Sequence, residues 1–204
     1  LERTDPRGDD RGRSGGLRYP TDISWGEHHQ GDIETLSVQR AGNTLRIVLR
    51  LRGMTQFWNP PNGFDHVAVT AFLQLPDYAG GSTLMPQQNG SLPEGMRWHY
   101  RMRTHGWSNA WFSAEGADAA SEGRVSSPGA QVAADARART LTITIPAKAL
   151  DNPASLSGIK LYLNTWDYDG GYRGLSPKGG GMLFGGDRAD GTKVLDETEV
   201  LVLP

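Results

Sequence analysis

Between residues 44 and 52, Leu45, Ile47, Leu49 and Leu51 alternate with Arg46, Val48, Arg50 and Arg52. A period of two puts one set on a buried sheet face and the other in water. Residues 66–75 repeat the alternation through Val67, Val69, Ala71, Leu73 and Leu75. Residues 140–146 do so through Leu141, Ile143 and Ile145, and residues 159–166 through Ile159, Leu161 and Leu163. Trp98, Tyr100, Met102 and Thr104 alternate with His99, Arg101, Arg103 and His105, which predicts a strand with one polar face. Further strands are expected at 33–40, 107–113 and 199–203. A hairpin turn is expected at Ala41-Gly42-Asn43, where Gly and Asn tolerate positive φ. Residues 146–150 suit a single helical turn.

The pattern gives about eight to ten short strands separated by turn signals, with no long helix. Half-apolar strands bury their faces most economically sheet on sheet, so the fold expected is an all-β antiparallel sandwich of jelly-roll or immunoglobulin-like type. Neither an internal repeat nor a linker divides the chain, so residues 1–204 are expected to form one domain. Residues 76–95, rich in Gly, Pro, Gln and Asn, read as a long functional or disordered loop. Residues 115–129 are small and polar and read as mobile.

Composition narrows the functional classes. The 27 glycines and 12 prolines suit a turn-rich chain. A net charge of −2 gives no footprint for nucleic acid. No apolar run is long enough to span a membrane. The chain starts at Leu1, as a mature form or an excised piece of a longer protein would. The absence of cysteine removes disulfides and thiolate metal sites.

The first candidate chemistry lies at the N-terminus. In Thr4-Asp5-Pro6-Arg7-Gly8-Asp9-Asp10, proline and glycine let a segment carrying three carboxylates curl. Calcium takes six to eight such oxygens, whereas a solvated polar loop would need none. The second candidate is the set of six tryptophans. Trp98 falls on the apolar side of its strand and reads as core. Trp58, in a Pro/Asn loop, Trp107 and Trp111, after a turn, and Trp166, opposite its strand's aliphatics, are platform candidates for sugar rings. Asn59 and Asn109 lie in the same regions and offer amides to hydroxyls. Asp167-Tyr168-Asp169-Gly170 reads as an Asp-rich turn ahead of a cation loop, because Thr165 and Ser176 fall where an EF-hand needs acidic ligands. Gly106-Trp107-Ser108-Asn109-Ala110 approximates a nucleophile elbow but lacks the helix after it. His28-His29, on an extended chain, would point to opposite faces.

The order of the motifs carries a resemblance. Asp5-Pro6-x-Gly8-Asp9-Asp10-x-Gly12, Tyr19-Pro20-Thr21 and Gly31-Asp32-Ile33 resemble the opening of the glucodextranase C-terminal-domain family, modules similar to family 9 carbohydrate-binding modules and DOMON domains. Asn59-Pro60-Pro61-Asn62-Gly63-Phe64, Gly106-Trp107, Asp167–Arg173, Phe184-Gly185-Gly186 and Asp196 continue it in order. Gly12-Arg13-Ser14-Gly15-Gly16 departs from the family's usual Gly-Pro-Gly. The resemblance implies a β-sandwich and a structural calcium held by Asp5, Asp9, Asp10 and Asp32, with a backbone oxygen such as that of Gly8. It further implies a non-catalytic module that binds polysaccharide or oligosaccharide, secreted or periplasmic, and linked to a glycoside hydrolase acting on an α-glucan. The alternatives are a stand-alone glycoside hydrolase and a DOMON-type domain holding haem between Met and His, of which the chain has five each.

Overall fold

The computed structural model describes residues 1–204. Fourteen strands and two 3-10 turns, with no α-helix, make up its regular structure. In chain order the strands are β1 (Glu2–Thr4), β2 (Ile33–Ala41), β3 (Thr44–Leu51), β4 (Val67–Gln74), β5 (Leu84–Met85), β6 (Gly90–Ser91) and β7 (Tyr100–His105). They continue as β8 (Ser108–Ser113), β9 (Arg124–Val125), β10 (Gln131–Asp135), β11 (Thr140–Ile145), β12 (Lys160–Asp167), β13 (Asp196–Glu197) and β14 (Leu201–Val202). One sheet runs β1-β2-β3-β11-β10; the other runs β13-β12-β4-β7-β8-β9, with β14 also on β12. Between them lies the main core, so the sandwich expected from the alternation is the observed fold.

Register follows from the period-two pattern. Leu45, Ile47 and Leu49 stand opposite Ile145, Ile143 and Leu141 across β3 and β11. Ala71 and Leu73 face Leu163 and Leu161 across β4 and β12. All of these residues, with Leu51, Val67 and Val69, are buried in the one inter-sheet core. The turn at Ala41-Gly42-Asn43 joins β2 to β3, with Gly42 at φ 57°. The expected helical turn is the 3-10 turn Ala147–Leu150.

The second sheet corrects the expectation of a wet outer face. His99, Arg101, Arg103 and His105 are all buried. Their side is roofed by segments around residues 85–98, 112–122 and 172–195. One outer cluster packs Phe72, Met85, Trp98, Phe112 and Tyr162, and another packs Trp25, Trp166, Tyr172 and Phe184. Trp98 is thus core, but in the outer cluster rather than between the sheets. Arginine can line such a face because its stem and planar head tolerate aromatic neighbours. The Arg101 head lies 4.7 Å over the Phe112 ring, and the Arg103 head lies 4.0 Å over Tyr168.

The segment expected to be mobile, 115–129, supplies the partner of both arginines. Glu122 Oε1 accepts from Arg101 Nη2 and from Arg103 Nε, each at 2.9 Å. Residues 76–95, expected to be functional or disordered, carry the β5–β6 hairpin and put Met85 and Leu92 into the outer cluster.

Both chain ends lie at one pole. The Leu1 ammonium donates to Val38 O at 2.9 Å, Arg40 Nη1 donates to Pro204 O at 3.0 Å, and Leu203 N–H donates to Ile159 O at 2.9 Å. The opposite pole, where β12 ends at Asp167 and β7 at His105, gathers the candidate chemistry.

Candidate functional site

Two loops and a hairpin build a cleft of about 490 Å³ at that pole, with Trp58, Trp107, Tyr168, Asp167, Asp169 and Arg173 in its wall. Trp58 is carried by the Pro/Asn loop, whose shape is set by Asp65 Oδ2 accepting the Trp58 amide at 2.8 Å. Trp107 sits on the turn between β7 and β8. Gly106 leaves that turn no room for a side chain, since a Cβ would overlap Phe64 O and lie 2.9 Å from Pro60. Asn62 ties the two loops together: its Nδ2 donates to His105 O at 2.7 Å, and its amide donates to Gly106 O at 2.9 Å. Trp58 and Trp107 both line the cleft and are 50% and 49% exposed.

The cleft's charges are paired among themselves. Asp167 to Arg173 folds as a tight hairpin, with Tyr168 bridged to Tyr172. Arg173 Nε lies 2.6 Å from Asp167 Oδ2, and Arg173 Nη2 lies 2.9 Å from Asp169 Oδ2. Burial pushes the Asp167 carboxyl up to about 7, against the pull of Arg173. His66 also lines the cleft, but its Nε2 faces Ser24 O at 2.9 Å and its ring stacks on Trp25.

Other sequence candidates fall elsewhere. Trp111 and Trp166 are core side chains with no face in water, because both faces of this sheet are covered. Trp111 Nε1 donates to Ala149 O at 3.2 Å, and Trp166 Nε1 donates to Arg173 O at 3.0 Å. Asn59 is exposed with φ 48°, outside the cleft wall. Asn109 Oδ1 accepts from Thr104 Oγ1 at 2.6 Å and from Asn62 Nδ2 at 3.2 Å, which commits it to holding the β7–β8 turn. Tyr168 was missed; the signal available was an aromatic beside an Asp-Gly turn.

Ser108 Oγ lies 2.8 Å from His105 Nε2 beside the cleft. His105 Nδ1 faces the Trp107 amide at 3.5 Å, which favours the tautomer protonated on Nε2. That proton points at Ser108, the reverse of what activating a serine nucleophile needs.

The acidic site divides into two groups. Asp5, Asp9 and Asp196 each bring one oxygen within 4.8 Å of the others, and Asp10 and Asp32 oxygens lie equally close to one another and to a His29 ring nitrogen. Asp196 is fixed by two amides, Ile33 N–H to Oδ2 and Glu197 N–H to Oδ1, both at 2.7 Å. Asp32 Oδ2 accepts from the Gly8 amide at 2.9 Å and from Arg52 Nη1 at 3.2 Å. Asp10 Oδ2 accepts from Tyr19 OH at 2.6 Å and lies 3.2 Å from His29 Nδ1. His28 and His29 are not extended; both have positive φ, 67° and 65°.

Crowded, buried carboxylates resist ionisation. Burial, reinforced by Asp9 and Asp32, raises Asp5 to about 6, and burial raises Asp196 to about 8. Asp9 and Asp32 are also raised, burial first. Asp5 Oδ2 and Asp32 Oδ1 are buried without a hydrogen-bond partner. Such orphaned oxygens on clustered acids suit a hard cation.

The family described as the C-terminal binding module, SLH-like, of glucodextranase matches residues 1–201. The chain belongs to this family. No curated protein matches it. The family is one of binding modules. Asp196, named in the family string but not among the expected ligands, joins the acidic site only through the pairing of β13 with β12.

Proposed function

We propose that the chain is a non-catalytic carbohydrate-binding module, an accessory domain of an exported glycoside hydrolase acting on an α-glucan-type polysaccharide. The observation that carries this reading is the placement of Trp58 and Trp107 on one cleft, each half-open to solvent. The flat C–H faces of a pyranose stack on indole, while its hydroxyls find Asp169 and Tyr168 at the rim. Arg173 is already held against Asp167 and Asp169, which favours an uncharged sugar in this cleft. Family membership supports the binding role and a linked catalytic domain.

The test is retention on immobilised or soluble α-glucan, with reducing-sugar release measured in the same samples. Retention without release, weakened in Trp58→Ala and Trp107→Ala, is the expected outcome. Release of reducing sugar by the purified chain would establish a hydrolase instead.

A structural calcium belongs to the same reading. Asp5, Asp9 and Asp196, with Asp32 beside them, would hold it, and its charge would offset the burial and mutual repulsion that raise these acids. The orphaned oxygens of Asp5 and Asp32 support this assignment. The ion's part is structural: it would tie the N-terminal segment to β2 and β13.

A further inference from the structure

A second, polar cavity of about 580 Å³ opens at the same pole, walled by Glu27, His28, His29, Arg52, Gly53 and Arg139. Its backbone is unusual. His28, His29 and Arg139 all hold left-handed φ angles, 67°, 65° and 58°. Arg139 ends the turn from β10 into β11, where a left-handed residue is ordinarily glycine. Gly53 approaches the 28–30 segment so closely that a Cβ would lie 2.7 Å from His28 O. Left-handed non-glycine residues concentrate at ligand clamps, where the side chain is needed despite the strain.

The charges on this wall are not used up. The buried carboxylate of Glu34 already has Arg7 at 2.8 Å and Arg50 at 3.1 Å. Arg139 stands 3.8 Å from it, beyond hydrogen-bond reach. One Arg139 nitrogen, Nη1, donates to Arg52 O at 2.6 Å, leaving the other donors of its fork uncommitted. Arg52 gives a single side-chain contact, to Asp32. Glu27 is the one carboxylate on the wall, and it is exposed.

We infer that this cavity binds an anionic group, a carboxylate or a phosphate, with Arg139 as its principal ligand and Arg52 as a further donor. Arginine's planar fork matches either group bidentately. Residues 52–58 run from this cavity to Trp58 in the aromatic cleft, so an acidic substituent on a bound glycan and a free small anion are the two sources of the same chemistry. Only the first source rests on the glycan reading.

The experiment is calorimetric titration of the chain with inorganic phosphate, glucuronate and glucose, in wild type, Arg139→Gly and Trp107→Ala. Wild type is expected to bind phosphate and glucuronate saturably and glucose without dependence on Arg139. Arg139→Gly is expected to weaken both anions by about tenfold or more. It should still melt cooperatively as a folded protein, because the ease of glycine in the left-handed turn offsets the lost bond to Arg52 O. Trp107→Ala is expected to keep phosphate binding even where neutral-glucan retention is lost, which separates failure of the cleft from failure of this cavity. Glucuronate binding weakened by Trp107→Ala, with phosphate unaffected, supports the substituent on a glycan. The proposal is overturned if wild type binds neither anion, or if Arg139→Gly, folded by its melt, binds both as tightly as wild type.

Discussion

The amide of Ile33 donates to Asp196 Oδ2 at 2.7 Å, joining the start of β2 to a carboxylate 163 residues further along the chain. This bond aims Asp196 at the N-terminal acids and makes the acidic site a junction of three distant segments. Calcium that binds only the folded state should therefore raise the melting temperature by mass action. The expected result is a higher Tm in millimolar calcium than in EDTA, with the difference lost in Asp9→Ala and Asp196→Asn. Binding must displace protons from Asp196 and Asp5, which titrate near 8 and 6, so the calcium-induced rise should shrink as pH falls from 8 toward 5. Equal melts in both buffers at pH 8 would exclude the ion.

The tryptophans should separate into two classes when truncated. Trp58→Ala and Trp107→Ala remove open rings, so each should weaken glucan binding roughly tenfold with little change in stability. Trp111→Ala and Trp166→Ala empty core sites and should each cost about 3–5 kcal/mol. Paired binding and denaturant measurements on the four variants check the division.

Glu122 holds two buried guanidiniums, and Arg101 is wholly buried. Glu122→Ala leaves both charges without a partner, a loss of about 3–5 kcal/mol by the usual cost of breaking a buried pair. Urea denaturation measures it. Protease sensitivity between residues 114 and 123 should rise in the same variant, since the clamp on that segment is gone.

His105 supplies a second pH dependence, of the same sign but independent of the cation. Burial first, and then the charge of Arg103, lower its pKa to about 4, below the ordinary value of 6.5. Between these values the unfolded chain takes up the proton and the folded protein does not. This contribution to stability is therefore present above pH 6.5 and lost as pH falls toward 4. His105→Gln should flatten the stability profile over that interval, as read by melts at half-unit pH steps.

The main core was legible because each strand facing it obeys a simple alternation. The pairs Leu45–Ile145 and Ile47–Ile143 follow directly from positions that are apolar at every second residue. The outer face of the second sheet was not legible, because Arg101 and Arg103 look identical in sequence whether they meet water or Glu122. Their partner comes from a segment whose small polar residues carry no periodic signal. The same limit hid the fate of Trp166, which does lie opposite Leu161 and Leu163 but under Phe184 and Tyr172 rather than in solvent. At the acidic site, local density of Asp located one half; Asp196 and His29 enter through topology and through backbone with positive φ, which no spacing rule reports.

The placement of both chain ends at one pole has a mechanical consequence. From Lys160, beside β14, to Asp167, at the cleft, β12 spans eight residues, a length of roughly 23 Å at the rise of an extended strand. A catalytic domain tethered at either end would hang from the side facing away from the cleft. On the glycan-binding proposal, the sandwich would then act as a rigid spacer, gripping polymer on one side while its neighbour works the same chain without being blocked by the grip.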